Sequence, residues 1–187
     1  MLALCIGGAA CAWSDLKAAE AIIGDSPRIV IVCNFAGIQY AGRIDAWVTL
    51  HAEQFPDWPS QRIGNADYRV FMHPHHDGEP EYPGAEVVPQ RWHGSSGLYM
   101  AQIALEHLGA NRVILCGVPL TGEGDHIHWP ADVRPAALTQ AMRYRAGFEA
   151  ALPIIGPQVR SMSGWTAETY GQPDEDWLND DIQTGGN

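Results

Sequence analysis

"QRWHGSSGLYMAQIALEHLGANRVILCGVPLTGEG" occupies residues 90–124. Ser95 and Ser96 stand between Gly94 and Gly97. Apolar residues then recur at helical spacing over residues 95–108, among them Leu98, Ile103 and Leu105, and Gly109 supplies a stop. "NRVILCGV" follows as a continuous apolar run, the pattern of a strand covered on both faces. A helix that feeds a buried strand, and a strand that ends in a Gly-rich turn, make half of an α/β repeat.

The flanking sequence repeats the pattern. "MLALCI" reads as a first strand ended by Gly7 and Gly8. "SDLKAAEAIIG" reads as a helix with Ser14 or Asp15 as N-cap and Gly24 as its stop. "RIVIVCN", "IDAWVTLH" and "YRVFMH" are the second to fourth strands, and "AEVV" is a short fifth between Pro83-Gly84 and Pro89. "RPAALTQAMRYRAGFEAAL" is a second long helix with Pro135 near its first turn, and "QVRSMS" is a late strand. Alternating strands and helices predict a single α/β domain of three layers with a mostly parallel sheet over residues 1–170. The acidic tail, 171–187, docks in part through Trp177 and Leu178.

The chain has 187 residues, enough for one domain with a buried core. Hydrophobic residues make up 46 % and charged residues 18 %, which excludes a disordered chain. The net charge is −11, so a broad nucleic-acid-binding face is not expected. A small anion remains compatible with that charge, because a nest of backbone N–H groups can hold it locally. Cys5, Cys11, Cys33 and Cys116 form no C-x-x-C pair and read as small buried thiols in a reducing cytoplasm. "MLALCIGGAACAW" lacks a basic start and is broken by Gly7-Gly8, so it reads as strand and loop rather than a signal peptide. No run is long enough to span a bilayer.

In parallel sheets, ligands bind beyond the carboxyl ends of the strands. That rule gathers four loops: Gly7 to Trp13, Asn34 to Tyr40, the loop from His51, and Gly117 to Trp129. Three of the predicted ligand residues are Ser95, Ser96 and Gly97. Free N–H groups and the positive end of the helix dipole suit a phosphate or carboxylate there. The alternative is that a serine merely caps the helix. Gly7 and Gly8 follow the first strand, where mononucleotide folds place phosphates or bases, although no G-x-G-x-x-G or P-loop lysine is present. Asn34 ends the second strand, where its amide can reach a base or ribose or simply cap the turn.

Two histidine groups stand out. His73, His75, His76 and Asp77 lack a spacing that sets a metal geometry, and Pro74 kinks the run. Asp125, His126 and His128 follow a strand's carboxyl end, where a histidine can act as a general base. Either group also reads as solvated loop. Trp92, Trp129, Tyr99 and Tyr144 read as packing residues.

Taken in order, these pieces resemble the bacterial sialyltransferases and the related motility-accessory and sialyltransferase-like Rossmann proteins. "IGGAACAWSDL" stands where that group has a small-residue loop with G-N-G-P-S-L. Cys33-Asn34 matches a strand ending in C-N. "SSGLYM" matches T-S-G-x-Y-M, and "VILCGVPL" matches a strand of the type I-Y-L-x-G-x-D-F. His126 or His128 falls at the place of the family's base. The chain departs at Gly8, which replaces a donor-binding Asn, at Pro119, which replaces an acidic residue, and in a shortened lid.

The resemblance implies a Rossmann-like fold, a cytidine monophosphate sugar donor and catalysis without metal. It carries nucleotide-phosphate contact to Ser95, Ser96 and Gly97 and a donor-site role to Asn34. The leading expectation is a cytoplasmic nucleotide-binding transferase of glycosyl type that needs no cofactor beyond its nucleotide-sugar substrate. Its partners are a nucleotide or nucleotide sugar, with no nucleic acid or membrane, and self-association is left open. The alternatives are a non-catalytic binder of a nucleotide or other phosphorylated ligand, and a metal-dependent hydrolase built on the histidine groups.

Overall fold

The computed structural model describes residues 1–74, 82–122 and 134–180. Its strands are β1 (Leu2–Ile6), β2 (Arg28–Cys33), β3 (Ala46–Thr49), β4 (Arg69–Met72), β5 (Glu86–Val87), β6 (Arg112–Cys116) and β7 (Val159–Ser161). They form one sheet in the order β5-β4-β3-β2-β1-β6-β7. All six pairings are parallel. The fold is therefore α/β and Rossmann-like. At the centre, Cys5 lies in register with Ile31 on one side and Leu115 on the other.

Side chains alternate between the faces, as a pleated strand requires. Ala3, Cys5, Ile31, Val48, Phe71 and Leu115 point to one face. Leu4, Ile6, Val32, Trp47, Met72 and Ile114 point to the other. Both faces are covered, which explains why the central strands read as continuous apolar runs. Helix α1 (Ala12–Ile23) covers the second face through Ala12, Leu16, Ala19 and Ile23. Helix α2 (Ala36–Gln39) lies on the same face. Helices α3 (Ser96–Glu106) and α4 (Arg134–Ile155) cover the first face, through Leu98, Ile103, Phe148 and Ala151. Helices α5 (Gly164–Tyr170) and α6 (Glu175–Asn179) close the chain. Buried Trp177 of α6 packs on the second face and donates from Nε1 to the carbonyl of Pro157 at 2.9 Å.

Helix α1 starts before the expected cap. Its N-cap is Cys11, and Ser14 Oγ donates back to the Cys11 carbonyl at 2.8 Å. Asp15 is buried and serves tertiary partners instead. Its Oδ2 accepts from Gly117 N at 2.8 Å and from Ser163 Oγ at 2.6 Å. A carboxylate with two such donors is worth more there than as a surface cap. Helix α4 runs past its expected end, with Pro153 inside its final turns. Two 3-10 turns, Phe55–Asp57 and Pro59–Gln61, and helices α2, α5 and α6 were not anticipated.

The strand order decides where the site lies. From β1 the chain builds outward to β5, then returns over the sheet through α3 and adds β6 on the free side of β1. Such a reversal opens a crevice at the carboxyl ends of the two central strands. Gly7 follows β1 and Gly117 follows β6, and the two backbones touch. Gly7 N donates to the Cys116 carbonyl at 2.7 Å, and Ala9 N donates to the Gly117 carbonyl at 3.3 Å. Among the described residues, no helix is long and apolar enough to cross a membrane.

Candidate functional site

Asn34 sits at the carboxyl end of β2 with φ 48°, a left-handed conformation that asparagine tolerates better than most residues. Three bonds that involve side chains hold it there. Trp47 Nε1 donates to its carbonyl at 3.0 Å, Thr49 Oγ1 donates to its Oδ1 at 3.0 Å, and its Nδ2 donates to Ser96 Oγ at 3.2 Å. Thr49 Oγ1 also accepts from His51 N at 2.8 Å. A continuous hydrogen-bonded chain thus links the mouth of α3 to the loop after β3.

The mouth of α3 is not closed by a cap. Ser95 occupies the N-cap position with extended backbone, but its side chain makes no capping bond. Its Oγ is buried and has no hydrogen-bond partner among the described residues. A buried hydroxyl without a partner is costly, and a ligand oxygen would satisfy it. Gly97 is required by close packing. A Cβ there would press on the Val118 side chain.

These groups line one cavity of about 350 Å3. Gly7, Gly8, Asn34, Ser95, Ser96 and Gly97, the six ligand residues anticipated from sequence, all stand on its wall. Sequence reasoning did not single out Phe35, His51, Gln54 or Trp58, which also line it. Their loops were placed at this end, yet nothing in the residue pattern marked them. Phe35 and Trp58 pack with ring centroids 5.4 Å apart. Tyr144 of α4, read as a packing residue, packs against the first-face core and also lines the cavity beside Gln140. Burial raises its phenol pKa. Cys33 is a wall residue whose thiol burial pushes up to about 12, so it stays protonated and is no nucleophile at neutral pH.

The loop after β6 is anchored from behind. Leu120 adopts φ 49°, and its carbonyl accepts from Arg145 Nε at 3.0 Å and Nη2 at 2.7 Å. The Arg145 guanidinium stacks on Trp165 at 5.1 Å. Trp165 N in turn donates to the Pro119 carbonyl at 2.8 Å. The cavity wall from Gly117 to Leu120 is therefore held by Asp15, Arg145 and α5.

The remaining sequence candidates fall elsewhere. Asp125, His126, His128 and Trp129 lie outside the described residues, as do His75, His76 and Asp77. His73 Nδ1 accepts from Gln90 N at 3.1 Å. Among the described residues, no three His, Cys, Asp or Glu side chains converge as a metal site. Trp92 and Tyr99 are buried in the core, and Tyr99 Oη donates to the Val88 carbonyl at 2.6 Å.

Asn34 supports a direct test. Asn34→Ala and Asn34→Gly both lose the bonds to Ser96 and Thr49. Only the alanine also carries the left-handed strain, so it unfolds about 1 kcal/mol more easily than the glycine variant in urea titration. Equal stabilities would contradict the backbone geometry described.

No family model matches the chain, and no curated protein matches it. Among solved structures it is similar to the crystal structure of the sialyltransferase CST-II in complex with trisaccharide acceptor and CMP. The TM-score is 0.59 and the identity 14 %, over 92 % of this chain and 86 % of that chain. At that identity the likeness is one of fold alone.

Proposed function

We propose that this protein is a nucleotide-binding transferase of glycosyl type that uses a nucleotide-activated sugar, with a cytidine monophosphate donor as the first candidate. The observation that carries the reading is the open mouth of α3. The first amides of a helix have no intrahelical acceptor, and here a Ser95 hydroxyl with no partner among the described residues stands beside them in a cavity at the switch point of the sheet. A nucleotide phosphate satisfies both. As the bond between sugar and phosphate breaks, charge grows on the phosphate oxygen, and the positive end of α3 stabilises it. Phe35 and Trp58 add apolar wall for the rest of the ligand. The fold likeness to a protein solved with CMP and a trisaccharide acceptor agrees with this class of ligand.

In this reading His126 or His128 takes the proton of the acceptor hydroxyl, with Asp125 orienting the ring. The reaction needs neither metal nor cofactor, and the protein works in the cytoplasm, alone or as a homo-oligomer. A second reading is favoured by Gly8, which leaves the first loop without an amide side chain for a donor. In that reading the cavity binds a nucleotide or other phosphorylated ligand without turnover.

A thermal-shift panel of nucleotides and nucleotide sugars, with and without divalent metals, tests the proposal. A ligand present at about 100 times its Kd adds about 2.7 kcal/mol of stability, so the melting temperature rises by roughly 5–10 °C. Cytidine nucleotides should lead, and metals should not be needed. A panel with no shift for any nucleotide would remove the reading.

A further inference from the structure

The cavity wall holds an imbalance. Neither lysine nor arginine is among its described residues, although the ligand proposed for it is an anion and the protein carries a net charge of −11. The ionisable side chains on the wall are Cys33, Tyr144 and His51. The first two are acids held neutral by burial, Cys33 at the end of β2 and Tyr144 on α4. Among the described wall residues, His51 is the one whose side chain can carry a positive charge.

His51 is also held in place. Its backbone N–H is tied to Thr49 Oγ1, and so to Asn34 and Ser96 at the mouth of α3. Its Nδ1 lies 3.5 Å from Glu53 Oε1, and both side chains are about half exposed, at 47 % each. A proton on Nδ1 faces that carboxylate, which leaves Nε2–H to meet a ligand. The other polar side chains among the described wall residues, Asn34, Gln54, Ser95, Ser96 and Gln140, carry no charge.

We propose that His51, in its imidazolium form and held by Glu53, is the counter-charge for the phosphate of the bound nucleotide, so that affinity for the ligand depends on pH. This rests on the nucleotide reading above. The sign follows from linkage. An anion bound to imidazolium raises the pKa of the ring in the complex. The added affinity is complete below the pKa of the free ring and is lost as pH rises through that of the complex. Below about pH 6 the phosphate takes up its own second proton, which weakens the pair from the other side. Affinity for a nucleotide therefore falls toward either end of the pH range.

The test is calorimetric titration of the full chain with CMP and with cytidine, from about pH 5.5 to about pH 8.5. CMP should bind the native protein three to ten times more weakly at about pH 8.5 than at about pH 6.5, the size of one partly solvated charge-assisted hydrogen bond. Cytidine, with no phosphate, should bind equally across that range. His51→Gln keeps a neutral donor at an exposed position, so it should fold normally and bind CMP with a flat profile above about pH 6.5. A CMP profile unchanged by His51→Gln would overturn the assignment while leaving nucleotide binding intact. Failure of CMP, UMP, AMP and GMP alike to bind would overturn the nucleotide reading and this inference together.

Discussion

Gly7→Ala lowers the unfolding free energy by about 3 kcal/mol or more, the upper range for forcing an atom into a packed interior. A Cβ on Gly7 would strike the carbonyl oxygen of Gly117 and crowd the Val118 side chain. The backbone cannot retreat. Gly7 N is bonded to the Cys116 carbonyl, and β1 and β6 are buried along their whole length. Gly117 cannot yield either, because its φ of 71° suits glycine and its N–H is held by Asp15. For a chain of this size the melting temperature falls by roughly 6–12 °C, measured by calorimetry beside urea titration. Gly8→Ala is the control. It lines the same cavity, yet a Cβ there meets nothing within 4 Å. Its stability should stay within about 0.5 kcal/mol of the native protein, as for most unconstrained surface changes. If Gly7→Ala proves as mild as Gly8→Ala, the two central strands do not meet as described.

Under the proposed transferase reading, replacing whichever of His126 and His128 is the base should lower turnover by roughly 10² to 10⁴ while leaving nucleotide binding nearly intact. His126 and His128 are two residues apart, so on an extended segment they face opposite sides and only one meets the acceptor. His126 is the first choice on sequence order alone, because it follows the end of β6 by fewer residues. His126→Ala and His128→Ala are compared in a transfer assay with the donor that the thermal-shift panel selects. One variant should be slow and the other close to native. If neither slows transfer, the base is elsewhere. If nucleotide binds and no donor is ever turned over, the non-catalytic reading replaces the transferase.

Much of the framework could be read directly along the chain. Apolar residues facing two covered layers leave unbroken runs such as "RIVIVC" and "RVILC", and these are β2 and β6 as found. Ser96 to Glu106 reads as a helix because its apolar spacing and the following Gly109 are local signals. The parallel arrangement follows from the alternation of the two. The loops at the carboxyl ends of β1, β2 and β6 could be assigned to one place on the same ground. That is why Gly7, Gly8, Asn34 and the Ser95–Gly97 turn were anticipated as neighbours and do share a wall.

What lay beyond the sequence depends on partners far away along the chain. Asp15 looks like a helix cap until Gly117 and Ser163 arrive to use its carboxylate. Ser95 looks like a cap as well, and only the packed structure shows its hydroxyl buried and without a partner among the described residues. Phe35, His51 and Trp58 carry no motif, and they become wall residues because β2 and β3 lie side by side with both loops over one crevice. Periodicity and capping are properties of consecutive residues, so a sequence states them outright. A cavity is a property of strand order. Here that order turns on α3, which carries the chain back across the sheet to set β6 against β1.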